Sequence, residues 1–143
     1  MTPDQKTKLL AFLQSHRLTV ISTVDGNNPE SALIAFAETE NGEIIFGTSD
    51  TTRKYKNIQA NNNVSFVIGL DDKDSRMTVQ YEGVARELAG NEAATYSAML
   101  VAKNPASGKF LKDEHQKYFL VTPTWVRYAN YSAIHEDFFE VIF

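Results

Sequence analysis

Apolar residues recur along the chain in two periods, and the switches between them mark its elements. Residues 2–14 open with Thr2, Pro3, Asp4 and Gln5, a capping box with proline at the first helical position and an acid at the positive dipole end. Leu9, Leu10, Phe12 and Leu13 then give the predicted helix one apolar face. After His16 the period drops to two. LTVISTV at 18–24, ESALIAFAET at 30–39 and EIIFGTS at 43–49 read as strands, joined by turns at DGNNP (25–29) and Glu40-Asn41-Gly42.

Tyr55 and Ile58 suit a short helix over 51–61, ended by Asn61, Asn62 and Asn63. VSFVIGL follows, with Val64, Phe66 and Ile68 on one face. MTVQYEGVARELA from Met77 reads as a long strand with a bulge or bend at Gly83. A second helix is expected from about Asn91 to Lys103, broken by Pro105 and Gly108. YFLVTPTWVRYANY and HEDFFEVIF complete the pattern. About six strands and two or three helices, without regular crossover helices, predict a mainly β fold. The expectation is an antiparallel barrel or sandwich with peripheral helices, as one domain over 1–143.

The chain of 143 residues has 14 basic and 18 acidic side chains, a formal net charge of −4, and no cysteine. The missing cysteines exclude disulfide frameworks, thiolate metal sites and thiol nucleophiles, and suit a reducing cytoplasm. The N-terminal segment lacks the form of a signal peptide, and no apolar run reaches membrane-spanning length. An acidic balance argues against nucleic acid as a partner. His16, His115 and His135 have no ligand spacing, and no metal site is expected. Asp71, Asp72 and Asp74 lack the glycine and distal glutamate of a calcium loop and read as a solvated turn. No catalytic triad or distinctive carboxylate pair stands out.

The net charge conceals one concentrated basic point. In FGTSDTTRKYKNIQANN (46–62) a strand ends at Phe46-Gly47. Thr48, Ser49, Asp50 and Thr51 follow, and Thr52, Arg53 and Lys54 open a helix. Free N–H groups at a helix start, hydroxyls, a forked guanidinium and an ammonium together suit a phosphate. Gly47 would let a flat ligand approach the backbone. The alternative is that Arg53, Lys54 and Lys56 form only the solvated face of an amphipathic helix.

This stretch resembles the pyridoxamine 5′-phosphate oxidase-like proteins, which have an FMN-binding split β-barrel. Phe46-Gly47-Thr48 and Thr52-Arg53-Lys54 match that family's aromatic-x-Thr and Ser/Thr-Arg-Lys motifs at its spacing. Asn61-Asn62-Asn63 before VSFVIG, and Tyr81-Glu82-Gly83-Val84-Ala85, are similar as well. The resemblance implies a six-stranded antiparallel split barrel in a homodimer whose FMN sites lie across the interface. Arg53 and Lys54 would pair with the FMN phosphate, aided by Thr52, while Gly47, Thr48 and Ser49 would border the cofactor. Thr78 stands where the oxidases often place a flavin-contacting glutamine, with Gln80 as a nearby substitute.

Two departures narrow the implied activity. Ser31-Ala32-Leu33-Ile34-Ala35-Phe36 carries neither the arginine nor the lysine that touch flavin in the vitamin B6 enzymes, and their C-terminal Arg-x-His motif is missing. The chain is closer to the short general-stress-protein-like members. Trp125 and Arg127, two apart on a strand, share a side suited to stacking on a ring and pairing with its polar edge. The alternative is an interface or core tryptophan with an exposed arginine, and short members often carry Trp-x-Arg there. The implied function is a small oxidoreductase using FMN with a nicotinamide or oxygen. The alternatives are a flavin-binding stress protein without turnover, or a barrel holding deazaflavin or haem.

Overall fold

In the computed structural model, which describes residues 1–69, 76–132, 134 and 137–143, the alternating runs form one curled antiparallel sheet with helices at its margins. The elements are α1 (Pro3–Gln14), β1 (Leu18–Asp25), β2 (Asn28–Ala35), β3 (Ala37–Glu38), β4 (Ile44–Ser49), α2 (Arg53–Ala60), β5 (Asn63–Ile68), β6 (Met77–Glu87), α3 (Gly90–Lys103), a 3₁₀ turn (Pro105–Phe110), β7 (Gln116–Asn130) and β8 (Asp137–Ile142). Strand order is β2-β1-β5-β6-β7-β4-β3, with β8 also on β7. The mainly β barrel with peripheral helices is therefore observed. The described strands number eight rather than about six, partly because the predicted strand over 30–39 breaks at Phe36, whose N–H turns to the Arg17 carbonyl at 3.1 Å. The aspartates at 71, 72 and 74, and His135, lie outside the described residues.

Local chemistry explains the boundaries. Thr2 and Gln5 cap α1 reciprocally, Gln5 N–H to Thr2 Oγ1 at 3.2 Å and Thr2 N–H to Gln5 Oε1 at 2.9 Å. The β1–β2 hairpin turns on Gly26-Asn27, where Gly26 takes φ +59°, a conformation that favours glycine. β7 pairs with β6 over Phe119–Asn130, with β4 over Gln116–Val121 and with β8 over Trp125–Asn130. Pro123, which has no N–H to give a ladder, falls where β4 has ended and β8 has not begun. It lies opposite the bulge between Glu82 and Gly83.

The concave face carries the main core: Ile21, Phe36, Ile44, Phe46, Phe66, Val79, Tyr81, Phe119 and Val126, closed by Leu9, Phe12 and Leu13 of α1. Ile45 points the other way, into a smaller cluster with Ala37, Leu88, Leu100, Tyr118 and Leu120 beneath α3. That two-sided burial is why residues 44–46 are continuously apolar. At the junction of α1, β3 and α3, Lys103 donates to the Leu13 carbonyl at 2.8 Å and pairs with Glu38, lying 4.2 Å above the Phe36 ring. Both side chains of that pair are largely buried, at 14% and 12% exposure.

Removing one partner of such a pair leaves the other charge buried and uncompensated. Lys103→Met is expected to destabilise the fold by about 3 kcal/mol, and Lys103→Met with Glu38→Gln by clearly less. Urea unfolding of the two variants checks this, and equal losses would refute it.

Candidate functional site

The sequence Thr48–Lys54 folds as a strand end, a tight hydroxyl-linked loop and a helix start. Thr52 caps α2: its Oγ1 accepts from Tyr55 N–H at 3.3 Å, donates to the Ser49 carbonyl at 2.9 Å and lies 2.9 Å from Thr48 Oγ1. Ser49 Oγ lies 2.8 Å from Thr51 Oγ1 and accepts from Thr51 N–H at 3.3 Å. Asp50 anchors the loop to the segment before β7, its N–H reaching the His115 carbonyl at 2.8 Å and its Oδ1 lying 2.9 Å from His115 Nδ1. Thr48 is buried, so its hydroxyl serves the loop. Behind the loop Tyr55 packs edge-on against Phe119, and a hydrogen bond with Glu87 pushes its phenol up to about 12.

The sheet does not close between β2 and β4, and two clefts lie along this gap. The first, about 360 Å³, has Ile21, Thr23, Glu30, Ser31 and Ala32 of the β1–β2 hairpin on one side and Thr51, Thr52, Arg53 and Lys54 on the other. The second, about 160 Å³, is lined by Ile34 and Ala35 of β2, Gly47 of β4, Leu100 of α3, Ser107 and Phe110, and Gln116 and Tyr118 of β7. Lys54 borders both. The N–H groups of Arg53 and Lys54 occupy the first two helical positions, where no intrahelical acceptor exists.

The two cations are in different states. Arg53 is exposed over 77% of its side chain and donates to Glu30 Oε2 at 2.6 Å. Glu30 also accepts from Asn57 Nδ2 at 2.7 Å, and Asn57, buried on α2, donates to Thr23 Oγ1 at 3.0 Å. Lys54 is half-buried, with no ion-pair partner among the described residues, and burial lowers its pKa from the usual lysine value. An anion entering the cleft would therefore meet one desolvated ammonium that lacks a counter-charge.

Gly47, Thr48, Ser49, Thr52, Arg53 and Lys54 thus cluster at one end of the gap. Thr78, Gln80, Trp125 and Arg127 do not join them. They lie on the convex face, opposite in alternation to Val79, Tyr81, Val126 and Tyr128. There Gln80 is in register with Arg127, which donates to Glu140 Oε1 at 2.7 Å and sits 5.0 Å from the Phe138 ring. Hydrogen bonding to Glu140 raises the Arg127 pKa further above its ordinary value. Glu30 and Thr23 line the cleft, with the buried Asn57 bonded to both behind it, and no sequence motif marks any of the three. The available signal was alternation, which puts Glu30 on the same face as Ala32 and Ile34. Among the described residues no three His, Asp or Glu side chains converge as metal ligands.

Residues 5–130 match the family described as pyridoxamine 5′-phosphate oxidase. No curated protein matches the sequence. Among solved structures, a haem-binding protein from Mycobacterium smegmatis superposes with a TM-score of 0.81 at 16% identity, over 97% of this chain but 59% of its own. ChuZ from Campylobacter jejuni gives 0.81 at 14% identity, over 99% of this chain and 61% of its own. The general stress protein 26 from Bacillus anthracis gives 0.65 at 20% identity, over 96% and 98%. This chain therefore spans about three-fifths of the first two, and at such identities the likeness is one of fold.

Gly47 has its missing side chain's place filled by its own sheet neighbour: an added Cβ would lie 2.6 Å from Gln116 Nε2 and 2.9 Å from the Tyr118 ring. Gly47→Ala is expected to cost about 1–3 kcal/mol through overpacking, and Gln116→Ala should recover part of it. Thermal unfolding of the single and double variants tests this; an undiminished melting temperature in Gly47→Ala would contradict it.

Proposed function

Because the chain belongs to the pyridoxamine 5′-phosphate oxidase family, we propose that it binds FMN as a homodimer and acts as an oxidoreductase on a small organic substrate. The observation that carries this reading is the convergence of Thr51, Thr52, Arg53 and Lys54 on the larger cleft. Those groups fit a phosphate: two N–H groups at a helix start, the Thr51 hydroxyl, a guanidinium, and an ammonium already desolvated. Arg53 and Lys54 would hold the phosphate, with Thr52 fixing the helix start that presents them, and Lys54, bordering both clefts, would sit beside the path from phosphate to ring. Ala35 and Gly47 would flank the ring end. FMN itself would supply hydride or electron transfer, so the chain needs to contribute binding, orientation and exclusion of water.

A second copy would complete the site from its convex face. In register, Leu33, Val20, Val67, Gln80, Arg127 and Glu140 form one row across that face, and Ser31, Ser22, Ser65, Glu82, Trp125 and Ile142 form the next. Leu33, Val67 and Ile142 are exposed at 61%, 45% and 85%. Apolar side chains gathered this way on one face support burial against a partner. In that arrangement Gln80, Trp125 and Arg127 of one protomer reach the cofactor held by the other.

Purified protein is expected to carry a flavin absorption spectrum, with the flavin reduced by NADH or NADPH. A Soret band without flavin bands would replace this reading with haem binding, and bound FMN that neither nicotinamide reduces would sink the oxidoreductase part. Arg53→Ala with Lys54→Ala should weaken FMN at least about a hundredfold, each charge-assisted bond contributing about 1.5–3 kcal/mol. Unchanged affinity refutes the phosphate assignment. Leu33→Asp with Val67→Asp is expected to give monomers with weakened FMN binding, as read by sedimentation and fluorescence titration; a persistent dimer excludes the convex face as the interface.

A further inference from the structure

We propose that Glu30 is a built-in competitor for Arg53, occupying the guanidinium until a phosphomonoester dianion displaces it, and so setting the cleft's selectivity for strongly charged anions. This inference rests on the phosphate reading of the cleft. Glu30 lines the same cleft as Arg53 and Lys54, on the opposite wall. Its carboxylate is the fixed member of the pair: 19% exposed, bonded through Oε1 to the buried Asn57, which is itself tied to Thr23. Arg53 is the solvated member, 77% exposed and joined to Glu30 through NH1 at 2.6 Å.

A guanidinium with NH1 engaged still has donors on its other edge, but a phosphate bound there would lie against the carboxylate and be repelled. Full bidentate contact requires Arg53 to leave Glu30. With the guanidinium in solvent the ion pair is screened, so a dianion can break it, whereas a singly charged or neutral ligand gains too little from doing so. Lys54, with no ion-pair partner among the described residues, needs no such exchange and becomes the principal anchor. Glu30 thereby acts on the ligand through Arg53, as a specificity-determining residue.

The test is fluorescence titration of FMN and of riboflavin, which lacks the phosphate, into wild type, Glu30→Gln, Arg53→Ala, Lys54→Ala and the Glu30→Gln/Arg53→Ala pair. Glutamine keeps an oxygen for Asn57, and Glu30→Ala serves if Glu30→Gln melts early. Glu30→Gln is expected to tighten FMN about fivefold, leave riboflavin unchanged and have no effect once Arg53 is alanine. Lys54→Ala should weaken FMN more than Arg53→Ala does. Weaker FMN binding in Glu30→Gln would make Glu30 a positioning residue for Arg53 and overturn competition. So would an unchanged affinity, or a gain that riboflavin shares or that survives Arg53→Ala. FMN binding insensitive to Lys54→Ala overturns the phosphate reading, and the inference with it.

Discussion

β7 gives one edge to the whole of β6, over Phe119–Asn130, and divides the other between β4 and β8. Because a strand edge can pair with only one neighbour at a time, β4 and β8 must diverge, and the sheet forks. One branch curls round through β4 toward β2 without pairing, leaving the gap whose end α2 fills. The other branch extends the convex face through β8. The fork thus creates the cleft and the flat face, and Pro123 and the bulge at Gly83 are the local chemistry that permits it.

Much of this was legible in the residues. The capping box at Thr2, the bulge at Gly83 and the alternation of β5 are local signals, and each took the form its sequence indicates. The break at Phe36 was not legible, because the chain leaves the strand there to satisfy a bond to Arg17, a contact between distant parts of the sequence. The same limit governs the site. Arg53 and Lys54 stand beside each other in sequence, and their resemblance to a phosphate motif could be read directly. Glu30 reaches Arg53 only after the β1–β2 hairpin is brought against α2, and the place of Trp125 and Arg127 on the convex face depends on the pairing of β6 with β7.

Electrostatically the chain separates two cations that composition treats alike. Arg53 is paired and solvated, while Lys54 is partly desolvated and borders both clefts. A ligand anion would reward them unequally, since pairing an already desolvated ammonium restores stabilisation that burial removed, whereas a solvated guanidinium gives up an existing partner.

The fork also fixes an order of events during synthesis. β4 has only the two-residue β3 beside it until β7 emerges, so Ile44, Ile45 and Phe46 wait without their main sheet neighbour while α2, β5, β6 and α3 are made. The strands of the β1–β2 hairpin, by contrast, are adjacent in sequence and are both complete before β4 is made. The smaller cleft, lined from β2, β4, α3 and β7, therefore cannot form until β7 is made, and the apolar run of β4 lacks its main sheet neighbour in the meantime.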